Sequence, residues 1–88
     1  MKYVVMQEPE TGVETIFVFP RGIHHDAIAE VLGGIKNQTH GNWHRVNREP
    51  VSAGFVDADG TCYGESESLG MASRPQDTLL LAKAQNAF

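Results

Sequence analysis

The chain has 88 residues, of which 41% are hydrophobic and 20% are charged, and its formal net charge is −4 at pH 7. This composition is too apolar for a disordered chain, and the acidic balance argues against a protein that wraps nucleic acid electrostatically. The length suffices for one hydrophobic core, so we expect a single domain over residues 1–88. Because no apolar run is long enough to span a bilayer and no pattern resembles a secretory signal, we expect neither a membrane span nor secretion.

The cysteine content and the short length bear on location and assembly. Cys62 has no second cysteine to pair with, which excludes an intramolecular disulfide and favours the reducing cytoplasm. A chain of this size buries only about 60–65% of the surface that its unfolded form exposes. Because self-association would bury more surface, we expect a homo-oligomer.

The first half of the chain predicts a β-hairpin followed by a helix. Residues 2–7 and 13–19 are rich in β-branched and aromatic residues, and a turn that contains proline and glycine separates them. Apolar residues then recur at a helical spacing and end at Gly33, which favours a helix C-terminus. Residues 35–42 lack a period and predict a loop, and residues 43–49 have only a weak strand pattern. The apolar stripe of the predicted helix consists of Ile23, Ala27, Ile28, Val31 and Leu32.

The second half predicts another hairpin and a C-terminal helix. Residues 51–57 and 61–68 have strand character on either side of an Asp-Gly turn. A glycine inside each strand, Gly54 and Gly64, predicts a bulge or a close approach to the backbone. An S-x-x-Q capping box at 73–76 marks the start of the last helix. The element order β-β-α-(β)-β-β-α predicts an α+β fold, with a small antiparallel sheet of four to five strands and two helices.

Charge is unevenly distributed along the chain. Residues 21–48 carry a net charge of +2 and contain all four histidines, whereas residues 49–70 carry −5. The asymmetry would let a basic face of one subunit meet an acidic face of another, or let a basic pocket hold an anion. Two separately solvated surfaces explain it equally well.

Patterns typical of catalysis or metal binding are weak. His40 and His44 have the spacing of two metal ligands on a helix, but the residues between them are poor helix formers. The acidic run that begins at Asp57 lacks the glycine and glutamate positions of a calcium loop. No serine lies in a nucleophile elbow, although a histidine general base at His24 or His44 stays open. We therefore expect no metal, no cofactor and no catalytic residue.

Residues suited to an anion and to a planar ring are better represented. Arg74 lies at the start of the last predicted helix, where N–H groups and the helix dipole favour a phosphate. Ser66 and Ser68 are two residues apart on a predicted strand, so we expect their hydroxyls on one face. Phe55 and Tyr63 flank the Asp-Gly turn and could cover a planar ring between them. The alternative is that Arg74 is solvated and the serines line an exposed strand.

Three segments resemble a family of small proteins encoded by phages. They are residues 52–55 (SAGF), 62–69 (CYGESESL) and 73–77 (SRPQD), and the similarity covers roughly residues 51–81. The chain is similar here to the type-one anti-Thoeris sponges, which sequester cyclic ADP-ribose signals of bacterial immunity without cleaving them, some also holding cyclic oligonucleotides. The resemblance implies an antiparallel sheet with two helices, homo-oligomers with pockets between subunits, and a location in the cytoplasm of an infected bacterium.

The resemblance also implies roles for individual residues. Phe55 would stack on a base, and the strand around Glu65 would line the pocket. A basic residue of the last helix, Lys83 or Arg74, would meet phosphate, and we add Arg45 as a further candidate. Hydroxyl and aromatic side chains would contact ribose and base. The predicted ligand-binding residues are thus Phe55, Tyr63, Glu65, Ser66, Ser68, Arg74, Lys83 and Arg45.

Three functional hypotheses follow from these observations. The leading one is a non-enzymatic phage anti-defence protein that sequesters a cyclic nucleotide and does not bind nucleic-acid polymers. The alternative is an acidic interaction protein, in which residues 49–70 mimic a nucleic-acid backbone and block a basic host protein. The third is a small hydrolase that uses the histidines and would turn over its nucleotide.

Overall fold

The computed structural model describes residues 1–33, 36–39, 42–45 and 48–86, and for 36–39, 42–45 and 86 it describes the backbone alone. In chain order the elements are β1 (Lys2–Gln7), β2 (Glu14–Phe19), α1 (His25–Gly33), β3 (Lys36–Thr39), β4 (Asn42–Arg45), β5 (Glu49–Val56), β6 (Cys62–Tyr63), β7 (Glu65–Ser66), β8 (Met71–Ala72) and α2 (Pro75–Asn86).

An antiparallel sheet of four strands, in the order β2-β1-β5-β6, forms the centre of the fold. Strands β3 and β4 pair as a separate hairpin, and so do the two-residue strands β7 and β8. With its two helices, the chain has the predicted α+β fold. The opening hairpin is confirmed as well, and its turn contains Gly12 at a φ of 74°.

Strand β1 lies inside the molecule and carries a helix on each of its faces. Its residues from Tyr3 to Met6 are at most 1% exposed. Val4 belongs to the apolar cluster that includes Ala29 of α1, whereas the neighbouring Tyr3 hydrogen-bonds Asp77 of α2. Since successive strand residues point to opposite faces, α1 and α2 cover opposite faces of the sheet. Fully burying a side chain such as Val4 contributes about 1.5–3 kcal/mol, so this strand is a main source of stability.

Helix α1 faces the sheet through a stripe different from the predicted one. His25 and Ala29 are buried and Ile28 is partly buried, whereas Ala27 is exposed and Val31 is 65% exposed. The prediction counted only apolar residues and therefore left His25 out of the buried stripe. Because the ring of His25 has a buried hydrogen-bond partner, this polar residue can occupy a core position. The buried face of α1 is therefore rotated about the helix axis relative to the predicted stripe.

Three further predictions need correction. Residues 36–39, placed in a loop, form β3, while positions 35, 40 and 41 lie outside the described residues. Residues 61–68 are not one strand: only Cys62–Tyr63 pairs with β5, because Gly64 turns the chain at a φ of 77° into β7. The last helix begins near the predicted position, at Pro75, but its cap differs. The carboxylate of Asp77 accepts the backbone N–H of Arg74, which replaces the expected box at 73–76.

None of the helices in the described part of the chain is both long and apolar enough to cross a membrane.

Candidate functional site

A row of four side chains crosses one face of the central sheet. Phe19, Lys2, Phe55 and Tyr63 occupy the same register on β2, β1, β5 and β6. Directly paired residues point to the same face, so these side chains lie next to one another. The rings of Phe55 and Tyr63 are 5.8 Å apart between centroids and 31° from parallel. The row therefore ends in an aromatic pair at the edge of the sheet.

The ring of His25 lies between the two phenylalanines of this row, Phe19 and Phe55, on the face that also carries Lys2. It meets Phe19 and Phe55 edge-on, at centroid distances of 5.4 Å and 5.8 Å. Nε2 lies 2.8 Å from the carbonyl oxygen of Gly54, and because a carbonyl only accepts, Nε2 carries the proton. In the neutral ring Nδ1 then holds the lone pair. The fixed orientation of His25 holds the start of α1 against the aromatic row.

Two glycines permit the close packing around Phe55. A Cβ on Gly54 would lie 2.4 Å from the carbonyl oxygen of Tyr63, so only glycine lets β5 and β6 approach this closely. Gly64 has a φ of 77°, and a Cβ there would lie 3.0 Å from the ring of Phe55. The expectation of a close backbone approach at both glycines is confirmed.

The aromatic pair and the start of α1 border an open cavity of about 720 Å³. This volume lies within the range of about 300–1,000 Å³ that is usual for small-molecule sites. Five of the eight predicted ligand-binding residues line it. The complete lining is Lys2, His24, His25, Phe55, Tyr63, Gly64, Glu65, Ser66, Glu67 and Ser68.

Ser66 and Ser68 meet in the cavity wall, but through a turn and not along one strand. Their Oγ atoms are 3.3 Å apart, and Ser66 Oγ also accepts the N–H of Leu69. Ser68 Oγ accepts the N–H of Asp26 at 3.3 Å and so ties the turn to the first turn of α1. Ser66 is 2% exposed, whereas Ser68 is exposed. Of the two hydroxyls, that of Ser68 is the more accessible to a ligand.

Arg74 lies at another place in the fold, and its guanidinium is already occupied. It donates to both carboxylate oxygens of Glu14, at 2.7 Å and 3.2 Å, and its Nε donates to Asp77 at 3.0 Å. Asp77 is fully buried and also accepts the hydroxyl of Tyr3 at 2.6 Å. Removing one partner from a buried ion pair costs about 3–5 kcal/mol, so a phosphate would have to repay that cost to recruit Arg74. The predicted phosphate contact at Arg74 therefore has no support, and the residue is structural.

The ionisation of this cluster follows from its contacts. Burial alone would raise the pKa of Asp77, but hydrogen bonds from Tyr3 and from the Arg74 backbone outweigh it, and the pKa lies below its ordinary value. Hydrogen bonding to Arg74 also lowers the pKa of Glu14. Burial, together with the neighbouring carboxylate, raises the pKa of Tyr3. The cluster is thus an ionised carboxylate pair around one arginine, with Tyr3 as a neutral donor.

The other two predicted basic contacts lie apart from the cavity or outside the described side chains. Lys83 borders a separate groove of about 200 Å³ together with Glu14, Gln76, Leu79 and Leu80. Arg45 belongs to β4, where only the backbone is described, so its role stays a prediction. His40 lies outside the described residues. Within the described ranges no three histidine, cysteine, aspartate or glutamate side chains cluster as metal ligands do.

Sequence reasoning missed two cations: Arg21, which contacts two lining residues without lining the cavity itself, and Lys2, which lines the cavity. Lys2 lines it, with Nζ bound to the carbonyl oxygen of Ile23 at 3.0 Å. Arg21 lies over Phe55, with Cζ 5.7 Å from the ring centroid, and its Nη2 donates to the hydroxyl of Tyr63 at 3.4 Å. Such exposed cation–π contacts contribute only about 0.5–1 kcal/mol, so Arg21 is held weakly. No local motif marks either residue, because their position depends on strand pairing between the two hairpins.

Comparisons of the chain with protein families, with curated proteins and with solved structures found no match.

Proposed function

We propose that the chain is a non-enzymatic binding protein that holds a cyclic nucleotide in the cavity beside Phe55 and Tyr63. The observation that supports this most is that five of the predicted ligand-binding residues line one cavity. The three others, Arg74, Lys83 and Arg45, are the predicted phosphate contacts, and none of them is needed for a ring and a sugar to bind there.

The chemistry of the lining suits the parts of a nucleotide. Phe55 and Tyr63 offer aromatic faces to a base, and stacking of this kind contributes about 1–3 kcal/mol per base. The hydroxyl of Ser68 and the carboxylate of Glu65 can bond ribose hydroxyls, a role that acidic residues often have in nucleotide sites. Lys2 supplies a positive charge at the same cavity. A purely apolar ligand would leave these polar groups unsatisfied.

The cyclic form of the ligand and its sequestration come from the resemblance over residues 51–81 to phage-encoded sponges. On that basis the protein would act in the cytoplasm of an infected bacterium and withdraw an immune signal by binding it intact. The cavity is open to solvent on one side. A second subunit placed at the open side would complete the pocket between subunits that the resemblance implies.

A second candidate function, inhibition of a basic protein through residues 49–70, rests on the exposure of all five carboxylates in that segment. These carboxylates do not form one patch, however. Glu49 is the first residue of β5 and Asp57 follows its last residue, so the two lie about 25 Å apart at the usual rise per strand residue. Asp57 Oδ1 also accepts the N–H groups of Asp59 and Thr61, so it stabilises its own turn. The nucleotide proposal is therefore the better supported of the two.

Native mass spectrometry with a ligand panel tests the proposal. The protein is mixed with cyclic ADP-ribose isomers and with cyclic di- and trinucleotides, and the mass of released ligand is measured after denaturation. We expect whole ligand masses on a defined oligomer and unchanged ligand on release. Recovery of a cleaved nucleotide would instead indicate the hydrolase, and binding of no panel member would refute the proposal.

A pair of exposed substitutions adds specificity to this test. Tyr63→Ala removes one face of the aromatic pair at a residue that is 42% exposed, so folding should survive. Leu79→Ala is the matched control, because Leu79 is 61% exposed and lies on α2, outside the cavity. We expect Tyr63→Ala to weaken binding about tenfold or more and Leu79→Ala to leave it unchanged. For the acidic alternative, Glu65→Lys and Glu67→Lys should abolish salt-sensitive capture of a basic protein.

A further inference from the structure

We propose that Arg21 is the phosphate-binding residue of the cavity, and that the cavity therefore selects ligands in which a planar base and a phosphate belong to one molecule. This inference rests on the proposed nucleotide function and assigns its missing anion contact. It replaces the predicted contact at Arg74 with an arginine from a different part of the chain.

The contacts of Arg21 place its charged group beside Phe55 and Tyr63, two residues that line the cavity, while Arg21 itself lies next to the lining. Cζ lies 5.7 Å from the ring centroid of Phe55, and Nη2 donates to the hydroxyl of Tyr63 at 3.4 Å. A guanidinium has five N–H donors, and one of them is used here. In the described part of the chain the other four donors have no protein acceptor. A bidentate contact to a phosphate needs two adjacent donors of the planar fork, so the four unused donors suffice.

The other described cations are less available to a ligand at this cavity. The guanidinium of Arg74 is bonded to Glu14 and Asp77, and Lys83 lies at a separate groove. Arg48 lies over a different ring, that of Phe17, and its Nε is 4.0 Å from Glu8. Lys2 lines the cavity but is a point charge without the fork geometry. Arg21 therefore combines the right chemistry with the right place.

The position of Arg21 over Phe55 links base binding to phosphate binding. The guanidinium lies over the ring of Phe55, so a base that stacks on this same face has to displace it. A phosphate on the same ligand gives the displaced guanidinium a stronger partner, because a bond to an ionised oxygen is stronger than one to a neutral hydroxyl. A nucleoside without phosphate has to displace Arg21 and gains only the stacking contact, with no new partner for the displaced guanidinium. A ligand that contains both a base and a phosphate should therefore bind much more tightly than the separate affinities of a nucleoside and of a phosphate would predict.

Calorimetry on three variants tests this assignment, with cyclic di-AMP, adenosine and inorganic pyrophosphate as probes. Arg21→Ala should weaken the binding of cyclic di-AMP about 10- to 100-fold, and Arg21→Lys should recover part of the loss. The matched control is Arg48→Ala, which removes the other ring-stacked arginine and should change the affinity less than about twofold. Adenosine should bind Arg21→Ala at least as well as the wild type, because nothing then has to leave the ring of Phe55. Circular dichroism of each variant confirms that the fold is retained.

The outcomes separate this inference from the function on which it rests. If the wild type binds cyclic di-AMP and Arg21→Ala binds it equally well, the assignment of Arg21 is wrong and the nucleotide function stands. If the wild type binds no nucleotide, the proposed function fails. The anion site can then be tested by itself. Pyrophosphate is titrated into the protein, and the NMR chemical shifts of the arginine Nε–H groups are measured. A shift confined to Arg21 supports the site, and its absence overturns it.

Discussion

The substitution Asp77→Ala should be among the most damaging single changes in the chain. Its carboxylate is fully buried and accepts three hydrogen bonds, one from the hydroxyl of Tyr3 on β1 and two from the backbone N–H and the Nε–H of Arg74. Arg74 is itself paired with Glu14 on β2, so these contacts connect the start of α2 with both strands. Removing the carboxylate leaves a buried hydroxyl without an acceptor and an arginine with an incomplete set of partners. Loss of one partner in a buried ion pair costs about 3–5 kcal/mol. A domain of this size has a total stability of only about 4–13 kcal/mol.

Two milder variants make the expected loss interpretable. Asp77→Asn keeps the shape and one acceptor oxygen but removes the charge, so we expect a smaller loss, of about 2–3 kcal/mol. Tyr3→Phe removes one hydroxyl and leaves Asp77 with its donors from Arg74, for a loss of about 1–2 kcal/mol. Urea unfolding followed by circular dichroism measures all three. Since about 1 kcal/mol shifts the melting temperature of such a domain by about 4–8 °C, Asp77→Ala should melt at least about 12 °C lower than the wild type.

The acid limb of the stability curve gives an independent check. The pKa of Asp77 is lowered in the folded protein, so its stabilising contribution is present above the ordinary pKa of an aspartate and is lost as the pH falls through the folded value. Stability of the wild type should therefore fall on acidification, and Asp77→Asn should give a flatter curve. Glu14→Gln should flatten it as well, to a smaller extent, because the lowered pKa of Glu14 acts in the same direction but its carboxylate is partly solvated. A loss below about 1 kcal/mol for Asp77→Ala, with an unchanged acid slope for Asp77→Asn, would refute the structural role of this cluster.

Three further perturbations probe the cavity wall. Gly54→Ala should lower the free energy of unfolding by about 2 kcal/mol or more in urea titrations, since its Cβ would lie 2.4 Å from the carbonyl oxygen of Tyr63; a neutral result would mean that β6 is not held against β5. Gly64→Ala should cost about 1–2 kcal/mol, because a φ of 77° strains alanine, and should also shift the NMR signals of the Phe55 ring; unchanged ring signals would contradict the packing. Burial raises the pKa of the Cys62 thiol, so its alkylation by iodoacetamide at pH 8 should be several-fold slower than that of glutathione, and an equal rate would contradict this environment.

The sequence alone predicted the fold class and the elements whose signals are local. Two segments rich in β-branched and aromatic residues predicted the opening hairpin, and the S-x-x-Q pattern at 73–76 predicted the start of α2 to within a few residues, although its cap differs. The close approach at Gly54 and Gly64 was also predictable, because a glycine inside a strand pattern often marks a place where a neighbouring backbone or ring leaves no room for a Cβ. Four of the predicted residues that line the cavity, Phe55, Tyr63, Ser66 and Ser68, were accessible to local reasoning because they lie close together in the sequence, whereas Glu65 was implied by the resemblance.

Tertiary structure decided the features that depend on residues far apart in the chain. His25 is buried because a carbonyl oxygen on β5 accepts its N–H, and no pattern within α1 contains that information. Arg74 was predicted to meet phosphate from its place at a helix start, but Glu14, sixty positions away, occupies its guanidinium. Lys2 lines the cavity, and Arg21 contacts Phe55 beside it, only because β1 pairs with both β2 and β5. Local sequence patterns indicated which residue types could bind a ligand. Pairing between strands far apart in the chain decided which of them lie at or beside the cavity with unused hydrogen-bond donors.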